Sequence, residues 1–171
     1  MRRVISSFLM LTCALVGWGM AQDNPAAATV TCNFDENSQL VVEYQPAAVN
    51  LKKPLSAQIP YGRVWAPGGK PMTLFTNTEV QIGPRLLPMG AYTMFVIPSA
   101  KQQWMLVISK STDMSGAYNE DDDLTRVPME SGELASPEPA LNVSLGHTAP
   151  NQCTIRVDLG KDGHFTAFEK R

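Results

Sequence analysis

The sequence has no excess of positive charge. Its 171 residues include 14 Lys and Arg against 16 Asp and Glu, and the formal net charge is −2. Proteins that bind nucleic acid through phosphate contacts need a cationic surface, and so does electrostatic capture by anionic lipid. The charge balance therefore argues against both partners.

Catalytic and metal-binding motifs are missing as well. The sequence contains no Gly-x-Ser-x-Gly elbow, P-loop, Cys-x-x-Cys or His-Glu-x-x-His. Its two histidines, His147 and His164, have no partner at the spacing of a metal site. We therefore predict no metal, no cofactor and no catalytic residue that a motif identifies.

A long apolar run occurs only at the N-terminus. Two arginines precede an apolar stretch from Val4 to Val16, and small residues follow as far as Ala21. This order is typical of a secretory signal peptide, and the stretch is too short for a membrane-spanning helix. We predict cleavage after Ala21, export to the periplasm or the extracellular space, and no stable membrane insertion afterwards. Lipoprotein anchoring at Cys13 is disfavoured because Thr12 precedes it where a smaller residue is usual.

The rest of the chain is predicted to be a flexible spacer at residues 22–28 and a single domain at residues 29–171. Two cysteines remain there, Cys32 and Cys153. Each alternates in step with apolar neighbours in a predicted strand, so that it lies on the same face of the strand as they do. Both sulfur atoms should therefore point into the core. In an oxidising compartment we expect them to form a disulfide, and the alternative is two buried free thiols.

Short β-branched and aromatic stretches separated by Pro, Gly and Asn predict an all-β fold. We expect an antiparallel β-sandwich, or a partly open barrel, with about ten short strands. The run from Glu130 to Pro139 is expected to be a surface loop. Two stretches that are apolar on both parities, at 92–97 and 104–108, should form the centre of a sheet. The candidate strands are Thr29–Phe34, Gln39–Tyr44, Met72–Thr76, Glu79–Ile82, Ala91–Ile97, Trp104–Lys110, Leu124–Met129, Leu141–Leu145, Thr154–Leu159 and Phe165–Phe168.

The segment at 60–71 combines aromatic, cationic and glycine residues, as a binding loop does. Arg63 and Lys70 could hold an anion, while Tyr61 and Trp65 could stack on a ring or a sugar face. The alternative is a structural connection whose aromatic rings cap the core and whose cations are solvated. The acidic run Glu120–Asp123 could hold calcium, but its spacing does not match an EF-hand, and a solvated turn is the favoured interpretation.

Several stretches resemble the exported bacterial proteins grouped as domain of unknown function 2911. The resemblance rests on Pro60-Tyr61-Gly62, Val64-Trp65 and above all Leu87-Pro88-Met89-Gly90-Ala91-Tyr92 with Ile97-Pro98, and it covers roughly residues 39–158. It implies an exported, β-rich single domain, and Cys32 with Cys153 resembles a cysteine-containing branch. The family has no established activity. Many members carry Arg, Asn and Glu at the positions that here read Ala66 to Pro71, and this departure weakens an enzymatic hypothesis.

The sequence thus favours a non-catalytic binding or interaction module in the cell envelope, whose partner is a small anionic or carbohydrate-like ligand or another protein. One alternative is a hydrolase-type or isomerase-type enzyme built from scattered residues such as Tyr61, Arg63, His147 or Tyr118. The other is a structural component of the cell envelope, which a large apolar surface patch would indicate.

Overall fold

A computed structural model describes residues 26–101, 103–115 and 117–171. The predicted signal peptide, Cys13 and the first part of the predicted spacer lie outside the described residues. The described chain forms ten strands: β1 (Ala28–Asn33), β2 (Gln39–Tyr44), β3 (Met72–Thr76), β4 (Val80–Ile82), β5 (Arg85–Leu87), β6 (Gly90–Ile97), β7 (Met105–Ser109), β8 (Asp123–Pro128), β9 (Glu130–Ala149) and β10 (Gln152–Lys170). Short 3-10 turns lie at Leu55–Ala57, Pro67–Gly69 and Glu120–Asp122. None of the described residues belongs to a helix that could cross a membrane.

The strands form two antiparallel sheets that pack as a sandwich. The larger sheet has the order β1-β2-β3-β6-β7-β8, and the smaller has the order β5-β4-β10-β9. The sheets do not join into a barrel, so the all-β sandwich prediction is confirmed. The two stretches that are apolar on both parities form β6 and β7, which are both interior strands of the larger sheet, as expected.

The structure corrects the expectation of a loop at Glu130–Pro139. This segment belongs to β9, and its first four residues pair with 162–165 of β10. The prediction was wrong because it took polar side chains as a sign of a loop. A strand at the edge of a sheet is largely exposed to water and can carry polar side chains as well. The three-residue strand β5 was also not expected. It follows Gly83 and pairs with β4, with Val80 opposite Leu87.

Strand β10 reverses its direction near Gly160. A straight strand of its 19 residues would be roughly 60 Å long. Yet the amide of Lys170 donates to the carbonyl of Asn151 at 2.8 Å, so the two ends of β10 lie side by side. Gly160 has a φ of 63°, which glycine adopts without strain. The reversal places Lys161 and Asp162 at an exposed tip.

The disulfide between Cys32 and Cys153 connects the two sheets. Cys32 lies in β1 of the larger sheet and Cys153 in β10 of the smaller, with Cα atoms 6.1 Å apart. Both cysteines are buried in the core, as their parity predicted. The pairing is therefore confirmed, and it fixes the first strand to a strand 121 positions later.

Candidate functional site

Two adjoining cavities lie beside the segment that leads from β2 to β3. The upper cavity has a volume of about 200 Å³ and the lower one about 300 Å³. Four residues line both of them: Val49, Leu55, Gln58 and Leu159. We call the two cavities together the groove. The upper cavity is completed by Ala47, Ala48, Ile59, Trp65, Gly68, Gly69 and Leu141, and the lower one by Asn50, Leu51, Lys53, Pro137, Gly160, Lys161 and Asp162.

One wall of the groove is the irregular segment 47–59. It runs beside β9, where the Val49 amide donates to the Pro139 carbonyl and the Leu141 amide donates to the Ala47 carbonyl, each at 2.8 Å. These bonds fix the wall against the smaller sheet. Pro54 lies inside the segment and Pro46 and Pro60 flank it, which disfavours a long helix, and its only helical part is the 3-10 turn Leu55–Ala57.

Gln58 holds this wall in shape from within. Its Oε1 accepts from the Asn50 amide at 2.8 Å, and its Nε2 donates to the carbonyl oxygens of Asn50 at 3.0 Å and Lys53 at 3.1 Å. The side-chain amide of Gln58 is thus hydrogen-bonded to backbone groups of the wall. Although Gln58 lines both cavities, its polar atoms already have partners inside the protein.

Trp65 forms the opposite wall of the upper cavity. Its backbone is anchored to β6, because the Trp65 amide donates to the Val96 carbonyl at 2.8 Å and the Val96 amide donates back at 3.0 Å. The following turn packs against Gln45. A Cβ on Gly68, whose φ is 77°, would lie 1.9 Å from the Gln45 carbonyl oxygen, so only glycine fits there. The larger sheet therefore supplies this wall.

Among the described residues that line the groove, the charged ones lie at its lower end. Lys53, Lys161 and Asp162 line the lower cavity, and within the described part of the chain none of the three forms an ion pair. Tyr61 lies close enough to Asp162 for the negative charge of Asp162 to act on the Tyr61 hydroxyl. Burial raises the pKa of the Tyr61 hydroxyl, and the negative charge of Asp162 raises it further.

The structure separates the four residues that the sequence suggested for ligand binding. Trp65 lines the upper cavity, and half-buried Tyr61 packs on the core near the lower one. Arg63 is exposed outside both cavities. Lys70 lines a different cavity of about 200 Å³ together with Glu43. Aromatic residues of the loop thus lie near the groove, whereas its two cations do not.

Sequence reasoning missed the lysines and aliphatic residues of the groove. They come from four stretches far apart in the chain, at 47–59, 65–69, 137–141 and 159–162. The signals available were weak: a pair of lysines at 52 and 53 among apolar residues, and a Gly-Lys-Asp-Gly turn at 160–163. The pairing of β9 with β10 and with segment 47–49, together with the bridge from Trp65 to Val96 of β6, brings these stretches together.

The acidic run forms a hydrogen-bonded cluster with Tyr118 and Arg126. Tyr118 donates to Asp123 Oδ2 at 2.6 Å, and Arg126 Nη2 donates to Tyr118 Oη and to Glu120 Oε1, each at 2.7 Å. Arg126 Nε donates to Asp123 Oδ2 at 2.8 Å. We call these four residues the Tyr118 network. Burial, assisted by the hydrogen bond to Asp123, raises the pKa of Tyr118 to about 12.

The ring of Tyr118 packs on Phe95 of the larger sheet. The ring of Tyr118 meets that of Phe95 edge-on, with centroids 5.2 Å apart, and so helps to bury the outward side of β6. The network contains the close Tyr118–carboxylate contact that an enzyme could use. However, Tyr118 Oη, Asp123 Oδ2 and the Arg126 guanidinium are already bonded to one another, and none of these residues lines the groove.

The two histidines have different surroundings. His147 is exposed on β9, whereas His164 is buried and stacks on Trp104 with ring centroids 3.8 Å apart. His164 Nδ1 lies 3.1 Å from Ser131 Oγ. Burial lowers the pKa of His164 to about 4, although the charges of Asp162 and Asp158 partly oppose this shift. His164 is therefore neutral at neutral pH and serves in packing.

The described residues contain no group of three or more His, Cys, Asp or Glu side chains arranged to hold a metal ion. No curated protein and no solved structure matches the chain. A family model matches residues 25–162, which is most of the sequence. The chain therefore belongs to the family described as Protein of unknown function (DUF2911).

Proposed function

We propose that the protein is an exported, non-catalytic binding module that holds a small anionic or carbohydrate-like ligand in the groove. The observation that carries the proposal is the pair of adjoining cavities, whose volumes of about 200 and 300 Å³ together fall in the range of small-molecule sites. Their walls are fixed by backbone hydrogen bonds to both sheets, so the site is formed before a ligand arrives.

Export is part of the proposal and has two supports. The N-terminal sequence has the order of a secretory signal peptide. The disulfide between Cys32 and Cys153 is of the kind that persists in oxidising compartments. A ligand of this module would therefore be met outside the cytoplasm.

A thermal-shift series on the oxidised protein tests the proposal. The panel is inorganic phosphate, small carboxylates, nucleotides, mono- and disaccharides and divalent metals, with a chelator as control. Binding to the folded state alone raises its stability by mass action, and a ligand at a hundred times its dissociation constant should raise the Tm by roughly 5 to 10 °C. No shift with any member of the panel would contradict the proposal.

Two pairs of substitutions then locate the site. The double variant Lys53→Gln and Lys161→Gln alters the groove, and the matched double variant Arg63→Gln and Lys70→Gln alters the cations of the 60–71 loop. We expect the first pair to weaken anion binding about tenfold or more and the second to leave it unchanged. The reverse result would place the site in the loop and not in the groove.

A further inference from the structure

The side chains that line the upper cavity are mostly apolar. Apart from Gln58, its side chains are aliphatic or belong to Trp65. The side-chain amide of Gln58 is already hydrogen-bonded to backbone groups of the protein. The carbonyl of Ala47 accepts from Leu141, and that of Leu55 accepts from Gln58 and Ile59. These side chains offer a sugar ring few hydrogen-bond partners, and a sugar that loses hydrogen bonds to water without replacing all of them pays a cost in free energy. The upper cavity therefore suits a hydrocarbon group.

The lower cavity differs from the upper one by the charged side chains at its rim. Lys53 and Lys161 are exposed, and neither ammonium group is paired with a carboxylate within the described part of the chain. Asp162 is the one acid among the lining residues, which leaves one net positive charge. An anionic head group placed there would gain charge-assisted hydrogen bonds while keeping part of its hydration.

We propose, on the basis of the proposed function, that the ligand is an amphiphilic anion with one unbranched alkyl chain. Its carboxylate or phosphate lies at Lys53 and Lys161, and its chain passes Leu55 and Leu159 into the upper cavity beneath Trp65. One molecule occupies both cavities because they share four lining residues. Since the two cavities have volumes of only about 200 and 300 Å³, only a chain of limited length fits.

Isothermal titration of the full oxidised chain with a homologous series of saturated monocarboxylates tests this assignment. Each ligand is used below its critical micelle concentration. Every methylene that enters the groove should improve affinity about fourfold, and the improvement should stop when the groove is full. Alkyl alcohols of equal length should bind about tenfold more weakly, because they lack the charge, and alkyl glucosides should not bind more tightly than the alcohols.

Substitutions identify the two ends of the ligand. The Lys53→Gln and Lys161→Gln double variant should remove the preference for carboxylate over alcohol but keep the dependence on chain length. Ala48→Trp should shorten the longest chain that still improves affinity, because Ala48 is an exposed residue on the wall of the upper cavity. The Arg63→Gln and Lys70→Gln double variant should change neither property. The series on the unsubstituted protein remains decisive if a variant fails to fold.

The outcomes separate this inference from the proposed function. If phosphate, acetate or a sugar binds but affinity does not depend on chain length, the binding module stands and the amphiphile is wrong. Affinity that rises with chain length without a limit, equally for acids and alcohols, would indicate adsorption on apolar surface and overturn the inference. If no compound in either panel binds, both proposals fail. A limited rise with a preference for acids supports both.

Discussion

The groove and the Tyr118 network both place charged side chains beside aromatic or aliphatic ones, but they use charge in opposite ways. In the network, Arg126 is bonded to Tyr118, Glu120 and Asp123 at 2.7 to 2.8 Å. In the groove, Lys53 and Lys161 have no such partner within the described part of the chain. A charge that the fold has paired stabilises a loop, whereas an unpaired charge beside a cavity is available to a ligand.

The difference follows from distance along the chain. The four network residues lie within nine positions, so that one turn and the start of β8 bring them together. The groove is assembled from four separate stretches that meet only when both sheets are formed. The network should therefore depend mainly on local structure, and the groove should depend on the packing of one sheet against the other.

The largest expected effect comes from opening the disulfide. Reduction, or the double variant Cys32→Ser and Cys153→Ser, should lower the free energy of unfolding by about 5 kcal/mol, because the closed loop spans 121 positions. Urea unfolding with and without reductant measures this. Hydrogen exchange should show that amides of the groove lose more protection than those of β8. Equal losses of protection in the groove and in β8 would contradict the proposed difference between the groove and the Tyr118 network.

The second-largest expected effect is a loss of stability in acid. In the unfolded chain a histidine takes up a proton near pH 6.5, whereas His164 in the folded protein does so only near pH 4. A lowered pKa of a base means that the unfolded state binds more protons between these values. Stability is therefore lost as the pH falls from 6.5 to 4, by about 3 kcal/mol in total. Because His164 lies two residues from Asp162, loosening should begin at the lower end of the groove.

Urea unfolding at several pH values checks this prediction. His164→Gln should flatten the dependence between pH 6.5 and 4, and His147→Gln is the matched control, because His147 is exposed. A separate loss below pH 3.8 is expected from Asp35, whose pKa is lowered to about 2 mainly by its hydrogen bond to Lys170. Constant stability from pH 7 to 4.5 in the unsubstituted protein would be inconsistent with a buried neutral His164.

Removing the central cation of the Tyr118 network should have a smaller effect. Arg126→Gln leaves Asp123, whose side chain is only 12% exposed, without its ion pair. We expect the free energy of unfolding to fall by about 2 kcal/mol, and ligand binding in the groove to stay unchanged. Lys110→Gln is the control, because Lys110 and Asp122 form an exposed pair that contributes less than about 1 kcal/mol. Equal effects of the two variants would show that the network adds nothing.

The smallest expected effect on stability comes from the groove lysines. Lys53→Gln and Lys161→Gln should each change the free energy of unfolding by less than about 0.5 kcal/mol, because no ion pair of the described chain is lost. Thermal unfolding in the absence of ligand measures this. A large destabilisation by either substitution would mean that the fold uses these charges itself, and the contrast with the Tyr118 network would disappear.

Local sequence pattern was sufficient for much of the fold. The positions of Cys32 and Cys153 on the apolar faces of their strands predicted their burial, and an even number of cysteines in an oxidising compartment predicted their pairing. Apolar residues on both faces identified β6 and β7 as interior strands. Pattern failed where neighbours in space supply the reason for a structure. Glu130 to Pro139 looks like a loop in isolation, but it is a strand because β10 pairs with it.

The candidate site was less predictable for the same reason. Composition pointed to the 60–71 loop, and the structure keeps Trp65 beside a cavity while Arg63 and Lys70 face elsewhere. The lysines that do line the groove are not part of any motif. Their position depends on the reversal of β10 and on the hydrogen bonds that hold segment 47–49 against β9.

The reversal of β10 at Gly160 has a consequence for how ligand preference could change. Lys161 and Asp162 stand at an exposed tip, while the strand halves that carry them are held by β9, by β4 and by the bond from Lys170 to Asn151. Because both side chains are exposed and the ladder uses backbone atoms, either can be exchanged without removing a buried side chain or a ladder hydrogen bond. Substituting Lys161 and Asp162 should therefore change which head group the groove prefers while the rest of the fold stays unaltered.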